Sequence, residues 1–207
     1  MNKKNNLGLD VCFMNEDDPF VVFKEWMSEA EKKEINDPNA VALATVNESN
    51  QPDVRMVLLK EYNKNGFIFF TNLNSKKGTD LKKTPKASMC FHWKSLLRQV
   101  RISGDISLIS DDEADKYFYS RPYLSKIGAW SSSQSKPMET RDALLNKIDQ
   151  YKNKFTDQNN VPRPVHWSGF LLSPNKIEFW KDVEGRLHQR LEYSKVSNSW
   201  KRQILYP

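Results

Sequence analysis

The spacing of apolar residues along the chain predicts many short strands and a few helices. After Asp18-Pro19, apolar residues at three- and four-residue spacing run from Phe20 to Ala30 and predict a helix that ends near Ile35. Runs rich in β-branched and aromatic residues predict strands at 40–46, 54–60, 67–71, 87–93, 97–108, 167–172, 176–180, 187–193 and 200–205. Because the run 54–60 is apolar almost throughout, we expect it to be buried on both faces.

Turn and capping residues separate these runs. The segment from Asn63 to Gly66 is a strong hairpin signal. Ser75 is placed to begin a short helix that stops before Pro85. The segment from Ser110 to Glu113 fits a capping box, which predicts a helix as far as Arg121.

A further helix is expected at 138–155, with an apolar side made of Leu144, Leu145, Ile148 and Tyr151. The serine-rich run 131–135 is expected to be a loop that Trp130 anchors. Helices therefore lie between groups of strands and do not alternate with single strands. This pattern predicts a mainly β, α+β fold, with an antiparallel barrel and flanking helices.

Composition limits the classes of protein that need to be considered. A chain of 207 residues with 38% hydrophobic residues suits one domain, expected at 18–207 after a flexible segment at 1–17. No signal peptide or membrane span is expected, and Cys12 and Cys90 lack the CxxC spacing, which favours reduced thiols in the cytoplasm. The three histidines show no metal-binding spacing, so no metal is expected.

A net charge of +6 permits an anionic ligand, a nucleic acid or a membrane surface as partner. The charges are dispersed and most aromatic residues fall in core patterns. The basic stripe with interleaved aromatics that nucleic-acid binding requires is therefore missing, and we expect neither nucleic acid nor membrane as partner.

Cationic side chains recur near the C-terminus at every second position. In a strand, Arg186, His188 and Arg190 would stand on one face about 6.6 Å apart, at a rise of about 3.3 Å per residue. The opposite face would then carry Leu187, Leu191 and Tyr193. Either an anionic ligand meets this row, or it is a solvated edge strand guarded by charge.

Two other groups suit a phosphate. Lys76 and Lys77 fall in the first turn of the helix after Ser75, where cations oppose the helix dipole unless an anion is bound; a solvated basic turn is the alternative. Tyr117 and Arg121 share a helix face, and Ser125 lies just beyond them. No GxGxxG or P-loop motif is present.

Short motifs in a fixed order carry a resemblance to a known family over 19–207. They are RMVLLK at 55–60, FFTN at 69–72, SKKG at 75–78, RQVRISG at 98–104, YFYSRP at 117–122, IGAWSSSQS at 127–135, EFW at 178–180, RLHQR at 186–190 and the terminal WKRQILYP. This order resembles the pyridoxine/pyridoxamine 5′-phosphate oxidases, FMN enzymes of vitamin B6 metabolism. The resemblance implies an antiparallel split β-barrel of the FMN-binding type, active as a homodimer with FMN at the subunit interface.

The resemblance also implies roles for individual residues. The FMN phosphate would be held by Arg55, Lys76 and Lys77, with Gln134 and Ser135 nearby. The rest of the cofactor would meet Met56, Val57, Leu58, Leu59, Lys60, Phe70, Thr71, Gln99, Trp180 and Arg190. The substrate phosphate would bind Lys60, Tyr117, Arg121 and Ser125, and the catalytic pair Arg186 and His188 would sit over the substrate pyridine ring.

The implied reaction oxidises pyridoxine or pyridoxamine 5′-phosphate to pyridoxal 5′-phosphate, by hydride transfer to flavin N5 and then reduction of O₂ to H₂O₂. The sequence departs from the family at three points. The first 17 residues lack the Arg and Tyr that often cover the substrate, Lys76 replaces a common Arg, and Phe70 replaces a frequent Tyr. A flavin reductase-like protein of the same fold and a non-catalytic binder of pyridoxal phosphate or nucleic acid are the alternatives.

Overall fold

Eight strands and five helices make up most of residues 15–207, the part of the chain that this computed structural model describes. The strands are β1 Ala40–Val46, β2 Pro52–Asn63, β3 Gly66–Asn72, β4 Lys86–Trp93, β5 Arg98–Leu108, β6 Trp167–Lys181, β7 Gln189–Val196 and β8 Ser199–Leu205. The helices are α1 Pro19–Lys33, α2 Lys76–Lys83, α3 Asp111–Ser120, α4 Tyr123–Ser131 and α5 Arg141–Lys154. Cys12 and most of the segment expected to be flexible lie outside the described residues.

Six of the strands close into an antiparallel barrel. The sheet order is β3-β2-β1-β4-β5-β6-β7-β8, and an additional pairing of β3 with β6 closes the ring and leaves β7 and β8 outside it. The first part of β6 pairs with β3, whereas Lys176–Lys181 pair with β7. The split barrel with flanking helices is therefore confirmed.

Strand β6 was expected to be two strands, and that prediction is wrong. It runs unbroken for 15 residues through Pro174, opposite a shift of register between Ser103 and Gly104 of β5. A Cβ atom added at Gly104 would lie only 2.1 Å from the carbonyl oxygen of Ser173. Glycine permits this close approach, so the strand bends here and continues.

Capping chemistry begins the helices where the sequence predicts. Asp18 accepts a hydrogen bond from the N–H of Phe20, Ser75 accepts one from Gly78, and Ser110 forms the complete capping box with Glu113. Helix α1 then covers the barrel core with Val22, Phe23, Trp26, Met27 and Ala30.

Two helical expectations are corrected. Helix α4 was not predicted, because no element was assigned between Pro122 and the serine-rich run. Helix α5 begins at Arg141, three residues later than expected. On its apolar side Leu144, Ile148 and Tyr151 are half-buried, and Leu145 is 47% exposed.

Strand β2 is not buried on both faces. Leu59 is buried in the barrel, but Val54, Met56 and Leu58 are 64%, 63% and 39% exposed. The apolar run therefore presents an open apolar surface on the outside of the barrel, which a single copy of the chain leaves uncovered.

The predicted row of Arg186, His188 and Arg190 does not form. Strand β7 begins only at Gln189, and Glu184–Arg186 form a 3₁₀ turn in which Gly185 and Arg186 have φ of 70° and 61°. Two left-handed residues in succession take the chain out of the extended conformation, so Arg190 alone lies in the strand.

The core side of β7 is as expected for two of its three residues. Leu191 and Tyr193 are buried, and Leu187 is 45% exposed. Burial raises the pKa of Tyr193 to about 12. Its hydroxyl donates to the carbonyl oxygen of Glu16 at 2.7 Å, which holds the start of the described chain against β7.

Candidate active site

A cleft of about 600 Å³ opens between β2, β3, α3 and α4. It brings together many of the residues singled out from the sequence, namely Met56, Val57, Leu58, Lys60, Phe70, Thr71, Lys77, Tyr117, Arg121, Ser125 and Gln134. It also contains residues that the sequence did not indicate, namely Asn72, Pro122, Gly128, Ala129, Ser132 and Trp167. Residues far apart in sequence thus share one concave surface, as ligand sites do.

Arg121 is a half-buried cation in this cleft. Its guanidinium lies 4.7 Å from the centre of the Trp167 ring and 5.6 Å from that of Phe118. Its Nη1 atom is buried and has no hydrogen-bond partner among the described residues. Burial lowers the pKa of Arg121, and the nearby Tyr117 acts in the opposite direction. Since a buried charge without an anion is costly, this arrangement suits an anionic ligand.

Three stacked aromatic rings form a wall of the cleft beside Arg121. Phe70 and Tyr117 stack with ring centroids 3.9 Å apart, and Phe70 and Trp167 stack at 5.2 Å. Phe70 thus replaces the hydroxyl of the frequent Tyr with a purely apolar contact. Trp167 is the first residue of β6, and no spacing rule in the sequence singles it out.

Arg163 fixes the helix that carries Tyr117 and Arg121. It donates to the carboxylates of Asp111 at 2.7 Å and Asp115 at 2.6 Å on α3, and to the carbonyl oxygen of Trp167 at 2.8 Å. One side chain therefore joins α3, which carries Tyr117, to the start of β6, which carries Trp167.

Lys77 is the second cation of the cleft and is buried, only 8% exposed. Its Nζ donates to Thr71 Oγ1 at 3.3 Å, Ser75 Oγ at 3.4 Å and Gln134 Oε1 at 3.1 Å, all of them neutral oxygens. Burial lowers the pKa of Lys77, and the charge of Arg55 lowers it further. A solvated basic turn is therefore the wrong interpretation for Lys77.

Arg55 and Lys76 lie beside the cleft and are already paired. Both contact the Asp53 carboxylate, at 2.7 Å and 3.0 Å, and Lys76 also contacts Asp80 at 3.3 Å. The hydrogen bond from Lys76 is the main cause that lowers the pKa of Asp53. Arg55 further donates to Thr45 Oγ1 at 2.7 Å. Three cations thus face two carboxylates around the start of α2.

A second group of predicted residues lies on the outer face of β5, β6 and β7. Gln99, Trp180 and Arg190 are register partners and form one row across these strands. The next row on the same face contains Arg101, Glu178 and Glu192. We call these six residues the outer strip.

Both arginines of the outer strip form ion pairs with the same carboxylate. Glu178, whose side chain is 6% exposed, accepts from Arg190 Nε at 2.8 Å and from Arg101 Nη1 at 3.1 Å. The hydrogen bond to Glu178 raises the pKa of Arg190. Glu192 pairs with Lys176 at 3.0 Å.

The turn that precedes β7 places His188 against the outer strip. Its ring centroid is 4.6 Å from that of Trp180, and its Nδ1 lies 2.9 Å from Asp182 Oδ1. Arg186 lies in the same turn and is exposed. His188 and Arg186 therefore both lie in the connection that precedes β7 and not in the strand itself.

Several predicted residues are not brought into the cleft by one chain. They are Arg55, Leu59, Lys76, Gln99, Ser135, Trp180, Arg186, His188 and Arg190. Leu59 is 3% exposed and its side chain is in the barrel core. Ser135, with φ of 70°, lines a neighbouring groove. Trp167 and Trp180 are separated by about 43 Å of β6, at about 3.3 Å per residue.

Within residues 15–207, no cluster of three or more His, Cys, Asp or Glu side chains is placed to hold a metal ion. The helices of the same part of the chain are too short or too polar to span a bilayer. Cys90 is a free, half-buried thiol.

Comparison with known proteins assigns the chain to a family. Residues 27–155 match the family model described as pyridoxamine 5′-phosphate oxidase, and residues 167–207 match the one described as the pyridoxine 5′-phosphate oxidase C-terminal dimerisation region. The pyridoxine/pyridoxamine 5′-phosphate oxidase of Pelagibacter ubique is 57% identical over 100% of both chains, and that of Allorhizobium ampelinum is 51% identical over 94% of this chain and 95% of its own.

Among solved structures, PhzG from Burkholderia lata 383, in complex with tetrahydrophenazine-1-carboxylic acid, superposes with a TM-score of 0.87. It is 30% identical, with 93% of this chain and 94% of that chain covered. Family models and relatives agree over nearly the whole length. The chain is a member of the pyridoxine/pyridoxamine 5′-phosphate oxidase family.

Proposed function

We propose that the protein is an FMN-dependent oxidase that converts pyridoxine or pyridoxamine 5′-phosphate to pyridoxal 5′-phosphate, with O₂ as electron acceptor. In this proposal 18–207 is one FMN-binding domain and the active form is a homodimer. The observation that carries it is Arg121, which lines a cleft of about 600 Å³ and whose buried Nη1 has no hydrogen-bond partner among residues 15–207.

The substrate phosphate is assigned to the group around Arg121. Lys60, Tyr117 and Ser125 line the same cleft and add an ammonium and two hydroxyl donors. A phosphate accepts from several donors at once, and a guanidinium can give it two parallel hydrogen bonds. Binding there would also relieve the cost of burying Arg121.

The residues at the other end of the cleft fit the phosphate of FMN. Lys77 is buried with neutral partners at the start of α2, and the three cations Arg55, Lys76 and Lys77 outnumber the carboxylates of Asp53 and Asp80. Gln134 and Thr71 supply further polar groups. Met56, Val57, Leu58 and Phe70 would line the flavin ring, an aromatic body that apolar walls accommodate.

A second copy of the chain would complete the site. The outer strip and the turn with Arg186 and His188 lie at the far end of β6 from the cleft. The exposed Val54, Met56 and Leu58 offer an apolar surface for association, and residues 167–207 match a region described as a dimerisation region. We therefore place Gln99, Trp180 and Arg190 of one subunit against the flavin held in the cleft of the other.

The protein's part in the reaction is binding and alignment. Bound FMN would supply the acceptor for the hydride, its N5, and would pass the two electrons to O₂ to give H₂O₂. Arg121 and its neighbours fix the substrate at its phosphate, and Arg186 and His188 meet the pyridine ring and its developing charge. The alcohol substrate loses a hydride and a proton; with the amine, water then releases ammonia and leaves the same aldehyde.

An absorbance titration tests this function. Purified protein is mixed with FMN, made anaerobic and treated with pyridoxamine 5′-phosphate. We expect the flavin band to bleach and to return when air is admitted. Pyridoxamine without phosphate is the control and should bleach the band far more slowly, because it cannot use Arg121. Protein that binds no FMN, or that responds equally to both amines, would contradict the proposal.

A further inference from the structure

Asp182 and His188 form a carboxylate–imidazole pair in the turn between β6 and β7. Asp182 Oδ1 lies 2.9 Å from His188 Nδ1, and the Trp180 ring packs against the imidazole at 4.6 Å. The His188 side chain is 15% exposed and that of Asp182 is 41% exposed. The ring is thus held by a stacked aromatic on one side and by a carboxylate at one nitrogen.

This distance determines which nitrogen carries the hydrogen. A carboxylate has only acceptor lone pairs, so a 2.9 Å contact with Nδ1 is attractive when Nδ1 is protonated and repulsive when it presents its own lone pair. The backbone N–H of Val183 also points at Nδ1 as a donor, but at 3.4 Å it makes the longer and weaker of the two contacts. The shorter contact, with Asp182, favours hydrogen on Nδ1 and leaves Nε2 available.

His166 shows the opposite arrangement within the same chain. Its Nε2 lies 3.0 Å from the carbonyl oxygen of Ala129, which can only accept. His166 therefore has hydrogen on Nε2. The two histidines make an internal comparison in which the partner of each ring, a carboxylate or a carbonyl group, sets the tautomer.

We propose that Asp182 is a positioning residue for the reaction, and this inference rests on the proposed function. By accepting the Nδ1 hydrogen, Asp182 holds the His188 ring in one orientation and leaves Nε2 as its hydrogen-bond acceptor. Nε2 would accept the proton of the substrate's hydroxyl or ammonium group, while the hydride from the adjacent carbon would pass to the FMN of the proposed function. Arg186 in the same turn remains a cation that binds the substrate ring region.

The tautomer is measured directly, without cofactor or substrate. The chain has three histidines, so ¹⁵N-histidine labelling gives few imidazole signals, which substitutions of His92, His166 and His188 assign. We expect His188 to be protonated at Nδ1 and His166 at Nε2. In Asp182→Ala, His188 should shift toward the Nε2–H form while His166 stays unchanged, which also reports that the variant is folded.

The matched control is Glu184→Ala, which removes the same charge from the same turn but not the carboxylate at Nδ1. It should leave the His188 signals as in the wild type. A wild-type His188 protonated at Nε2, or an Asp182→Ala variant with unchanged His188 signals, would overturn the inference.

Turnover separates this inference from the proposed function. Asp182→Ala should lower kcat about 10- to 100-fold, a share of what a general base contributes, while KM and FMN affinity change less than about threefold. Asp182→Glu should recover part of the loss. In a His188→Asn background, Asp182→Ala should have no further effect. An inactive wild type would refute the proposed function, whereas an active wild type with full kcat in Asp182→Ala would refute the role of Asp182 alone.

Discussion

The cleft and the outer strip contain similar cations, but the two regions differ in the partners that these cations have. Among residues 15–207, Arg121 in the cleft has a buried nitrogen without a hydrogen-bond partner, and Lys77 donates only to neutral oxygens. In the outer strip, Arg190 and Arg101 both donate to Glu178. The two cleft cations therefore lack a carboxylate as hydrogen-bond partner among the described residues, whereas the two arginines of the strip share one.

This difference indicates what each region can bind. Uncompensated, buried cations favour a ligand that brings negative charge into the site. A strip whose arginines are already paired with a carboxylate gains less from an anion, but its Trp180 and its fixed donors suit an aromatic ring with polar edges. The sequence shows only that these residues are Arg and Lys. The two regions can be told apart only from the structure, which shows which cations lie next to a carboxylate.

The largest expected effect is on substrate binding. Arg121→Ala should raise KM for pyridoxamine 5′-phosphate about 10- to 100-fold, equivalent to the roughly 1.5–3 kcal/mol of a hydrogen bond to a charged group. FMN affinity, measured by fluorescence titration, should stay within about threefold. Arg101→Ala is the counterpart on the outer strip and should change KM little, since Arg101 is half exposed and paired. Equal effects of the two substitutions on KM would contradict the distinction between an anion-binding cleft and an outer strip that does not bind the substrate phosphate.

Stability should change in opposite directions in the two regions. Lys77→Met removes a buried cation that lacks a carboxylate, so we expect the free energy of unfolding without FMN to rise by about 1 kcal/mol. Arg190→Met leaves Glu178 with the half-exposed Arg101 alone, so the same quantity should fall by about 1–3 kcal/mol. Urea unfolding at neutral pH measures both. A loss of stability in Lys77→Met would show that burying the Lys77 charge does not destabilise the folded protein.

The smallest effect is a pH dependence. Because burial lowers the pKa of Lys77 below the ordinary 10.5, the unfolded chain binds more protons than the folded one between the two values. The cost of burying the charge is therefore fully present at neutral pH and disappears as the pH rises toward 10.5. The stability difference between wild type and Lys77→Met should shrink by a fraction of about 1 kcal/mol across this range. A difference that stays constant from pH 7 to pH 10 would contradict the assignment.

The sequence predicted best where a single side chain decides the local conformation. The caps at Asp18, Ser75 and Ser110 and the hairpin at Asn63–Gly66 all depend on neighbours within a few residues. Helical spacing alone placed Tyr117 and Arg121 on one face, with Ser125 just beyond them. The addition of Lys60 to this cleft came from the family resemblance, because its position along the chain gives no distance in space.

The errors arose where the alternation or apolarity of a run, from which a strand was predicted, is outweighed by another feature of the chain. Pro174 indicates the end of a strand, yet the pairing with β5 shifts register opposite it and β6 continues. Arg186 and His188 alternate with Arg190 as a strand requires, yet Gly185 allows a turn there. The apolar run of β2 indicates burial, and its outer face is open in one copy of the chain. None of these outcomes is encoded in the spacing of the residues involved.

Strand β6 has a consequence for how the molecule opens. It hydrogen-bonds to β5 along most of its length, to β3 at its start and to β7 at its end. Strands β8 and β7 can detach in turn and leave the ring of six intact, but β6 cannot separate without breaking that ring. Amide protons of β8 should therefore exchange with solvent through local fraying, and those in the middle of β6 only through unfolding of the whole barrel.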